Sequence, residues 1–467
     1  MREAGRPGAA AGWVLVAAVA AAGATSFAGG YVHDDWRVVV QDPRVQSVEA
    51  WWAAMPGIRP LLKLSYAVNH ASGLGLAGFH AFNLAVHAAA ALLVLALLLR
   101  LERRFEPLAP ARGAALIGAL LFALHPVQTE AVTYVSGRSS ALAGALALGS
   151  VVAWLASRER GGWRLQLLSA SLFAAALGVK EYVAVLPVAL LLLEATDPRR
   201  AFSWRAAVVA VAPQALVLVV AAGLVLASPT YRWLALTGLS LRSPWANLLT
   251  QLQAMSWLTG QVVRPWSLSA EPGLPAMAAL TPALTAAGLA LATAAAAGLA
   301  QLRRRPAVGL AVLWFLIWLA PGGWLVPRRD PASERQLYLA LVGPAWLAAR
   351  WLQGWSGASA GRRAAVAALL VALGAGFSAR SLVYRDELTF WAEAASSSPG
   401  SARAWNNLGH ALAVACRTGE AEQAFERALA ADPTHFRAAV NLGLLRQGEA
   451  LGPGGEGRCP VPSAVPP

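Results

Sequence analysis

The feature that most constrains the fold is a series of long apolar runs. Residues 84–100 read LAVHAAAALLVLALLLR, and residues 279–300 carry no charged side chain. An α-helix needs about 20 such residues to cross the hydrocarbon core of a bilayer. Charged residues make up only 13% of the chain, about half the share found in soluble domains. The sequence therefore predicts an all-α, polytopic transmembrane helical bundle rather than a large soluble helical protein.

The basic residues lie in short segments between the apolar runs. The net charge is +14, and lysine occurs only at Lys63 and Lys180. A nucleic-acid-binding protein clusters its basic residues on one soluble face, so nucleic acid is not an expected partner. Basic loops mark the cytoplasmic side of a membrane protein. Their distribution over residues 1–380 predicts about 11 crossings, with the N-terminus in the cytoplasm and the C-terminus outside.

The first apolar run resembles a signal peptide, but residues 12–29 lack a convincing cleavage site before Asp34, and we expect a retained first span. The Trp-rich stretch 228–275 is expected to be partly an interfacial helix. The predicted crossings are residues 10–29, 78–100, 112–126, 139–157, 164–179, 182–195, 206–227, 276–301, 306–326, 336–354 and 363–380.

The composition changes after residue 380. Residues 381–400 are predicted to be a linker, residues 401–450 a short helical module, and the Gly- and Pro-rich residues 451–467 a disordered tail. Asn407-Leu-Gly recurs 34 residues later at Asn441-Leu-Gly, and Trp405 to Pro433 matches the tetratricopeptide pattern. Only one repeat is complete, although three or more normally stack. The module is therefore expected to pack on the membrane domain or to continue in a partner.

Two adjacent carboxylates, Asp34 and Asp35, follow the first span in the sequence Tyr31-Val-His33-Asp-Asp. Acidic groups at the mouth of a span are costly unless they are solvated or functional. The pair could hold a divalent cation, act as a general base or bind a sugar. A solvated turn with an Asp helix cap is the alternative.

Further ionisable residues gather at the predicted outer ends of the spans. For each group a structural role is an alternative, such as headgroup contact, helix packing or internal ion pairing. Arg328 and Arg329 lie outside, against the positive-inside rule, which suggests an anion such as a lipid phosphate. Together the ionisable and polar residues at the outer ends of the spans predict an outward-facing polar cavity. They comprise Arg59 and Lys63, His80, Asn83 and His87, His125, Glu130, Tyr134 and Arg138, Lys180 and Glu181, and Glu334 and Arg335.

The order of these motifs resembles the transmembrane and tetratricopeptide-repeat O-mannosyltransferases and their bacterial relatives, polytopic glycosyltransferases of the GT-C class. The resemblance covers about residues 1–345. It is carried by His33-Asp-Asp, Arg59-Pro-Leu, Phe79-His80 with Asn83 and His87, His125-Pro with Glu130 and Gly137-Arg138, Lys180-Glu181, and Glu334-Arg335 with Tyr338.

The resemblance implies transfer of a sugar, mannose among the candidates, from a polyprenyl-phosphate donor to a hydroxyl group such as a protein Ser or Thr. Retention and inversion are both open. Asp34 and Asp35 are the implied catalytic residues and the candidate metal ligands. The implied donor-binding residues are Arg59, Lys63, His80, His125, Glu130, Arg138, Lys180, Glu181, Glu334 and Arg335.

Two other functions compete with sugar transfer. One is a non-catalytic membrane scaffold that binds a protein partner through its repeats. The other is a transporter, which would show internal symmetry and polar breaks at the bilayer midplane; neither is clear in this sequence. The Ala- and Arg-rich, Lys-poor composition favours a bacterial inner-membrane protein with its repeat module in the periplasm, beside a protein acceptor or partner.

Overall fold

The structure, a computed structural model, describes residues 9–55, 57–107, 111–324 and 326–448. The N-terminal residues 1–6, predicted to be cytoplasmic, and the predicted tail 451–467 lie outside them. Every regular element within the described ranges is helical, which confirms the all-α prediction. The α-helices are α1 Ala9–Gly23, α2 Val48–Ala53, α3 Pro60–Ala71, α4 Gly75–Phe105, α5 Ala111–Leu124, α6 Thr129–Val132, α7 Arg138–Arg160, α8 Trp163–Val179, α9 Leu186–Ala195, α10 Trp204–Ala227, α11 Pro229–Leu239, α12 Pro244–Val263, α13 Pro282–Arg304, α14 Pro306–Leu319, α15 Leu337–Ala340, α16 Val342–Ser356, α17 Ala360–Ser381, α18 Glu387–Ser397, α19 Ala402–Val414, α20 Thr418–Ala431 and α21 Phe436–Arg446.

Six helical segments of the described chain are long and apolar enough to cross a membrane, which indicates an integral membrane protein. A seventh candidate is α5 with the segment Pro126–Val132, bent by 52° where Pro126 interrupts the helix. Helices α8 and α14 are apolar but shorter. The count of 11 crossings therefore stays a prediction. The six segments are Ala9–Ala28, Gly75–Phe105, Val135–Arg160, Trp204–Ala227, Pro282–Arg304 and Ala360–Tyr384.

Helix α7 lies at the centre of the bundle and α13 at its edge. The most apolar stretch of the α7 segment is 78% buried within the protein, against 11% for α13. Trp154 of α7 is fully buried, whereas Leu289 of α13 is 64% exposed. An apolar helix with an exposed apolar face suits contact with lipid, so α13 is placed on the lipid side of the bundle.

The ionisable groups lie at two opposite ends of the bundle. The rise of an α-helix places Arg138 and Arg158 of α7 about 30 Å apart. Basic and acidic residues meet in pairs around Arg158, and we call this the closed end. The end around Arg138, where the loops predicted to be extracytoplasmic contact one another, is called the cavity end. The pairs of the closed end are Arg100–Glu159, Arg104–Asp197 at 3.1 Å, Arg158–Glu194 at 2.5 Å and Arg350–Glu102 at 3.2 Å.

Residues 381–400 do not form the predicted linker. They contain a 3-10 turn, Leu382–Tyr384, followed by α18. Phe390 and Trp391 of α18 are buried in a core shared with Val32 and with helices α19 and α20. The sequence reading missed this helix because its apolar residues pack against a loop more than 350 positions away.

Helices α19 and α20 pack closely together. A Cβ added at Gly409 would lie 2.6 Å from the ring of Phe425, so only glycine allows this approach. Ala428 is also fully buried, and α20 ends two residues before Pro433. These small residues sit where a paired-helix repeat needs them, while the assignment as a tetratricopeptide module remains a prediction.

Candidate functional site

Asp35 fixes the acidic loop that follows the first apolar segment. Its side chain is fully buried. One carboxylate oxygen accepts a hydrogen bond from the backbone N–H of Ser136 at 2.8 Å and the other from that of Val32 at 3.2 Å. Burial raises the pKa of Asp35 to about 7, although the two backbone donors oppose the shift. Asp35 therefore joins the loop to the start of α7 and does not face solvent.

Asp34 points in a different direction from its neighbour. Its backbone N–H donates to the hydroxyl of Tyr134 at 3.0 Å, and its carboxylate lies 3.3 Å from Arg37. The side chain is 39% exposed and lines a cavity. The structure thus separates the two predicted catalytic carboxylates, with Asp34 at the cavity and Asp35 beneath it.

This basic cavity has a volume of about 390 Å³. Seven basic residues line it against two acidic ones, so an anionic ligand is favoured. Arginine and lysine both bind phosphate oxygens, arginine with two parallel hydrogen bonds. The basic lining residues are Arg37, Arg44, Arg59, Lys63, Lys180, Arg328 and Arg335, and the acidic ones are Asp34 and Asp42.

Helix α3 and the residue before it supply two of these cations. Arg59 has a positive φ of 51° and pairs with Glu181 through two contacts, at 2.6 and 3.0 Å. Burial alone would raise the pKa of Glu181, but the charge of Arg59 lowers it to about 2. Lys63, one turn further along, lies 3.3 Å from Asp42. The ion pairs hold both cations at the cavity wall.

Lys180 and Arg335 also line the cavity. The Nζ of Lys180 donates to the hydroxyls of Ser139 at 3.2 Å and Ser140 at 2.8 Å. Burial, together with nearby arginines, lowers its pKa well below the usual value. Arg335 lies 3.4 Å from Glu130, which also accepts its backbone N–H at 2.9 Å. The predicted residues Glu130 and Glu181 therefore act on the cavity through their arginine partners.

A smaller cavity of about 140 Å³ adjoins the basic cavity. The two share Lys180, Arg328 and Arg335 in their linings. Trp318 and Leu319 add apolar side chains to the lining of the smaller cavity. Basic side chains thus lie beside apolar ones in this smaller cavity.

Other predicted binding residues are not in the lining of the basic cavity. The ring Nε2 of His80 lies 3.1 Å from the carbonyl of Gly29, and that of His125 lies 3.1 Å from the carbonyl of Val262. Glu334 is buried and accepts the N–H of Ser269 at 2.5 Å. These side chains satisfy buried backbone groups, a role that uses the same residue types as a binding site.

Arg138 is the most deeply buried of the predicted cations. It is 0% exposed and donates to the side-chain oxygen of Asn83 at 2.6 Å and to the carbonyls of Ser65 at 3.0 Å and Phe79 at 3.1 Å. The ring of Phe82 lies 4.3 Å from its guanidinium carbon. Arg138 therefore joins α3, α4 and α7 and is not in the lining of the basic cavity.

Sequence reasoning missed three charged residues of the lining. Arg37, Asp42 and Arg44 follow the acidic pair in a loop predicted to lie outside. The exception to the positive-inside rule that drew attention to Arg328 applies equally to Arg37 and Arg44. The same signal would have found them.

The predicted metal site is not supported by the residues around the acidic pair. Within the described parts of the chain, no three His, Cys, Asp or Glu residues come together in a group that could hold a metal ion. Both oxygens of Asp35 are occupied by backbone donors, and Arg37 lies beside Asp34. A divalent cation prefers free carboxylate oxygens, so these residues do not fit one.

Comparison with known proteins supplies an independent observation. Protein O-mannosyl-transferase TMTC1 of Mus musculus is 32% identical over 154 residues, which are 29% of this chain and 16% of that protein. For TMTC4 of Homo sapiens the identity is 30% over 142 residues, 26% of this chain and 19% of that protein. Tmtc2 of Drosophila melanogaster is 32% identical over 171 residues, which are 32% of this chain and 18% of that protein. The chain is similar to protein O-mannosyl-transferases.

The similarity is limited in extent. The chain spans less than a fifth of the length of these curated relatives. No family model matches it, and no solved structure matches it. The relatives nevertheless agree with the resemblance that the order of the polar motifs predicted.

Proposed function

We propose that this protein is a membrane glycosyltransferase that moves a sugar, mannose in the first instance, from a polyprenyl-phosphate donor to a hydroxyl of a protein acceptor. The observation that carries the proposal is the basic cavity, with seven basic side chains and Asp34 in its lining. The names of the similar proteins supply the sugar and the acceptor class. The apolar helices around the cavity suit a lipid-linked donor.

The charged side chains of the basic cavity suit the steps of sugar transfer. The acceptor hydroxyl attacks the anomeric carbon, the bond between that carbon and the phosphate oxygen breaks, and polyprenyl phosphate leaves with the electron pair. Asp34 orients the hydroxyl and takes its proton, which makes a poor nucleophile reactive. Arg59, Lys63 and Arg335 stabilise the phosphate as its negative charge grows.

Asp35 has a positioning role in this proposal. Its two backbone contacts, to Val32 and Ser136, fix the loop that carries Asp34. Because preorganised geometry supplies much of a catalytic rate, loss of these contacts would lower transfer without removing a reacting group.

The proposal places the cavity end and the C-terminal helices on the extracytoplasmic side of a bacterial inner membrane. The basic residues of the closed end then face the cytoplasm, as the positive-inside rule requires. Helices α19 to α21, which cover the predicted repeat module of residues 401–450, would then lie on the same side and could present a protein acceptor.

Reconstitution in liposomes tests the proposed function. The purified protein is supplied with polyprenyl-phosphate mannose and a Ser/Thr-containing acceptor peptide, and sugar transfer is measured. We expect Asp34→Asn to lower kcat by about 10²- to 10⁴-fold, the range for loss of a general base, with unchanged donor binding. Glu159→Gln at the closed end is the matched control and should transfer normally.

Two outcomes would overturn parts of the proposal. Normal transfer by Asp34→Asn would remove the assigned base. Absence of turnover by the wild-type protein with any polyprenyl-phosphate sugar would favour the scaffold function instead.

A further inference from the structure

The acidic loop 29–35 is held by the C-terminal helices as well as by the membrane bundle. The backbone N–H of Gly30 donates to the carbonyl of Tyr384 at 3.0 Å. The backbone N–H of His33 donates to Oε1 of Glu387 at 2.8 Å. These partners lie in the turn before α18 and at its first residue, so the same short segment contacts the loop twice.

The conformation of His33 needs support from outside the loop. Its φ is +51°, a left-handed conformation that a residue with a Cβ adopts rarely, and such strain persists only when surrounding contacts enforce it. The imidazole stacks on Phe390, with ring centroids 6.0 Å apart, and meets Trp391 edge-on at 5.3 Å. Both rings belong to α18, and His33 directly precedes Asp34.

Glu387 is itself fixed in place. Its second carboxylate oxygen accepts the indole N–H of Trp391 at 2.5 Å. Asp386 caps the same helix by accepting the N–H of Thr389 at 2.7 Å. Because both oxygens of Glu387 accept hydrogen bonds, its carboxylate is held in one orientation, with Oε1 facing the backbone N–H of His33.

At Gly30 the acidic loop lies so close to the turn before α18 that only glycine fits. A Cβ at this position would lie 2.6 Å from the carbonyl oxygen of Arg385. Any larger residue must therefore push the loop away from the turn before α18. Val32 on the loop and Phe390 on α18 share one hydrophobic core with α19 and α20, so the loop and the C-terminal helices are packed as a unit.

From these contacts we infer that Glu387 is a positioning residue, which holds the backbone of His33 so that Asp34 faces the basic cavity. Glu387 is not among the residues that line that cavity, so it acts through the loop and not on the substrate. Helix α18 and the turn before it thereby help to position a catalytic residue. This inference rests on the proposed function for its kinetic test, but its structural test is independent of any activity.

The kinetic test uses the full-length protein in liposomes with polyprenyl-phosphate mannose and an acceptor peptide. Glu387→Ala is expected to lower kcat by about 10²-fold, the scale of a 1 Å misplacement of a catalytic group, with unchanged KM for the donor. Glu387→Gln keeps one acceptor oxygen and is expected to recover most of that loss. Glu420→Ala, on the exposed start of α20, is the control and should match the wild type.

The structural test is amide hydrogen exchange across residues 30–35. In Glu387→Ala, and separately in Gly30→Ala, exchange of the loop is expected to rise while α7 and α8 keep their protection. If wild-type protein transfers no sugar, this measurement still decides the inference. Wild-type protection of the loop in both variants would overturn it, as would equal loss of donor binding, kcat and thermal stability in Glu387→Ala, which marks a merely structural role.

Discussion

The two ends of the bundle use their charges in different ways. At the closed end, Arg104, Arg158 and Arg350 each meet a carboxylate within 3.2 Å. At the cavity end most cations are paired as well, but they share carboxylates, since Asp42 meets two of them and Glu181 meets two more. Cations therefore outnumber carboxylates around an open volume. Paired charges neutralise one another and seal a surface, whereas an excess of one sign creates a potential that attracts a ligand of the opposite sign. The excess of positive charge around an open volume, and not the presence of charge alone, distinguishes the candidate site from the closed end.

Removal of one arginine from each end gives the sharpest test of this contrast. Arg335→Met takes a cation from the cavity wall and is expected to lower kcat by about 10²- to 10³-fold, as for loss of one transition-state donor. Arg158→Met leaves Glu194 buried without its partner and is expected to cost about 3 kcal/mol of stability with kcat unchanged. Transfer assays and thermal unfolding of both variants provide the measurement. The same response in both variants would contradict the division of roles.

A smaller effect is expected for donor affinity. Lys63→Gln removes one cation from the cavity but keeps a hydrogen-bond donor, and we expect Kd for polyprenyl phosphate to rise about tenfold, the difference between a hydrogen bond from a charged donor and one from a neutral donor. Lys63→Arg preserves the charge and should bind within about twofold of the wild type, since most of that energy depends on the charge. Equal affinity of Lys63→Gln and the wild type would show that phosphate is bound elsewhere.

The smallest expected effect is on the pH dependence of stability. Burial raises the pKa of Glu334 to about 8, against the charge of Arg380 and assisted by that of Glu130. Because the folded protein then binds this proton more tightly than the unfolded chain, its stabilising effect is complete below about pH 4 and is lost as the pH rises to about 8. Asp35, with a pKa of about 7, acts in the same direction.

Glu334→Gln tests this dependence. The amide oxygen can still accept the N–H of Ser269, and the variant does not titrate. We expect its melting temperature to fall less than that of the wild type between pH 5 and pH 8, while Asp35 leaves a residual slope. An identical slope in both proteins, measured by thermal unfolding, would contradict the burial effect.

The sequence predicted some residues of the candidate site correctly and misplaced others. Lys63 and Arg335 were predicted as phosphate ligands and do line the cavity. Arg138 was predicted on the same grounds, yet its donors are used by Asn83 and by backbone carbonyls. A buried polar residue within an apolar run signals that it needs a partner, but the sequence does not say whether that partner is a ligand or the protein itself.

The same limit applies to the C-terminal region. The repeat spacing predicted the pairing of α19 and α20, and the contact of Gly409 with Phe425 has the geometry that small residues allow. Helix α18 was read as a linker because its apolar residues, Phe390 and Trp391, form no long run. Their packing partner is the acidic loop, which no local pattern could indicate.

The sequence by itself determined the helical class of this protein, its apolar segments and the separation of its charges into two groups. These properties follow from local composition, because each helix must match the hydrocarbon on its own. Only the tertiary structure decided which charges form the cavity. The contacts that decide it join Arg138 to Asn83 across 55 positions, Arg59 to Glu181 across 122 and His33 to Glu387 across 354. Residues so far apart in the sequence come into contact only when the helices pack, and that packing depends on all the helices together.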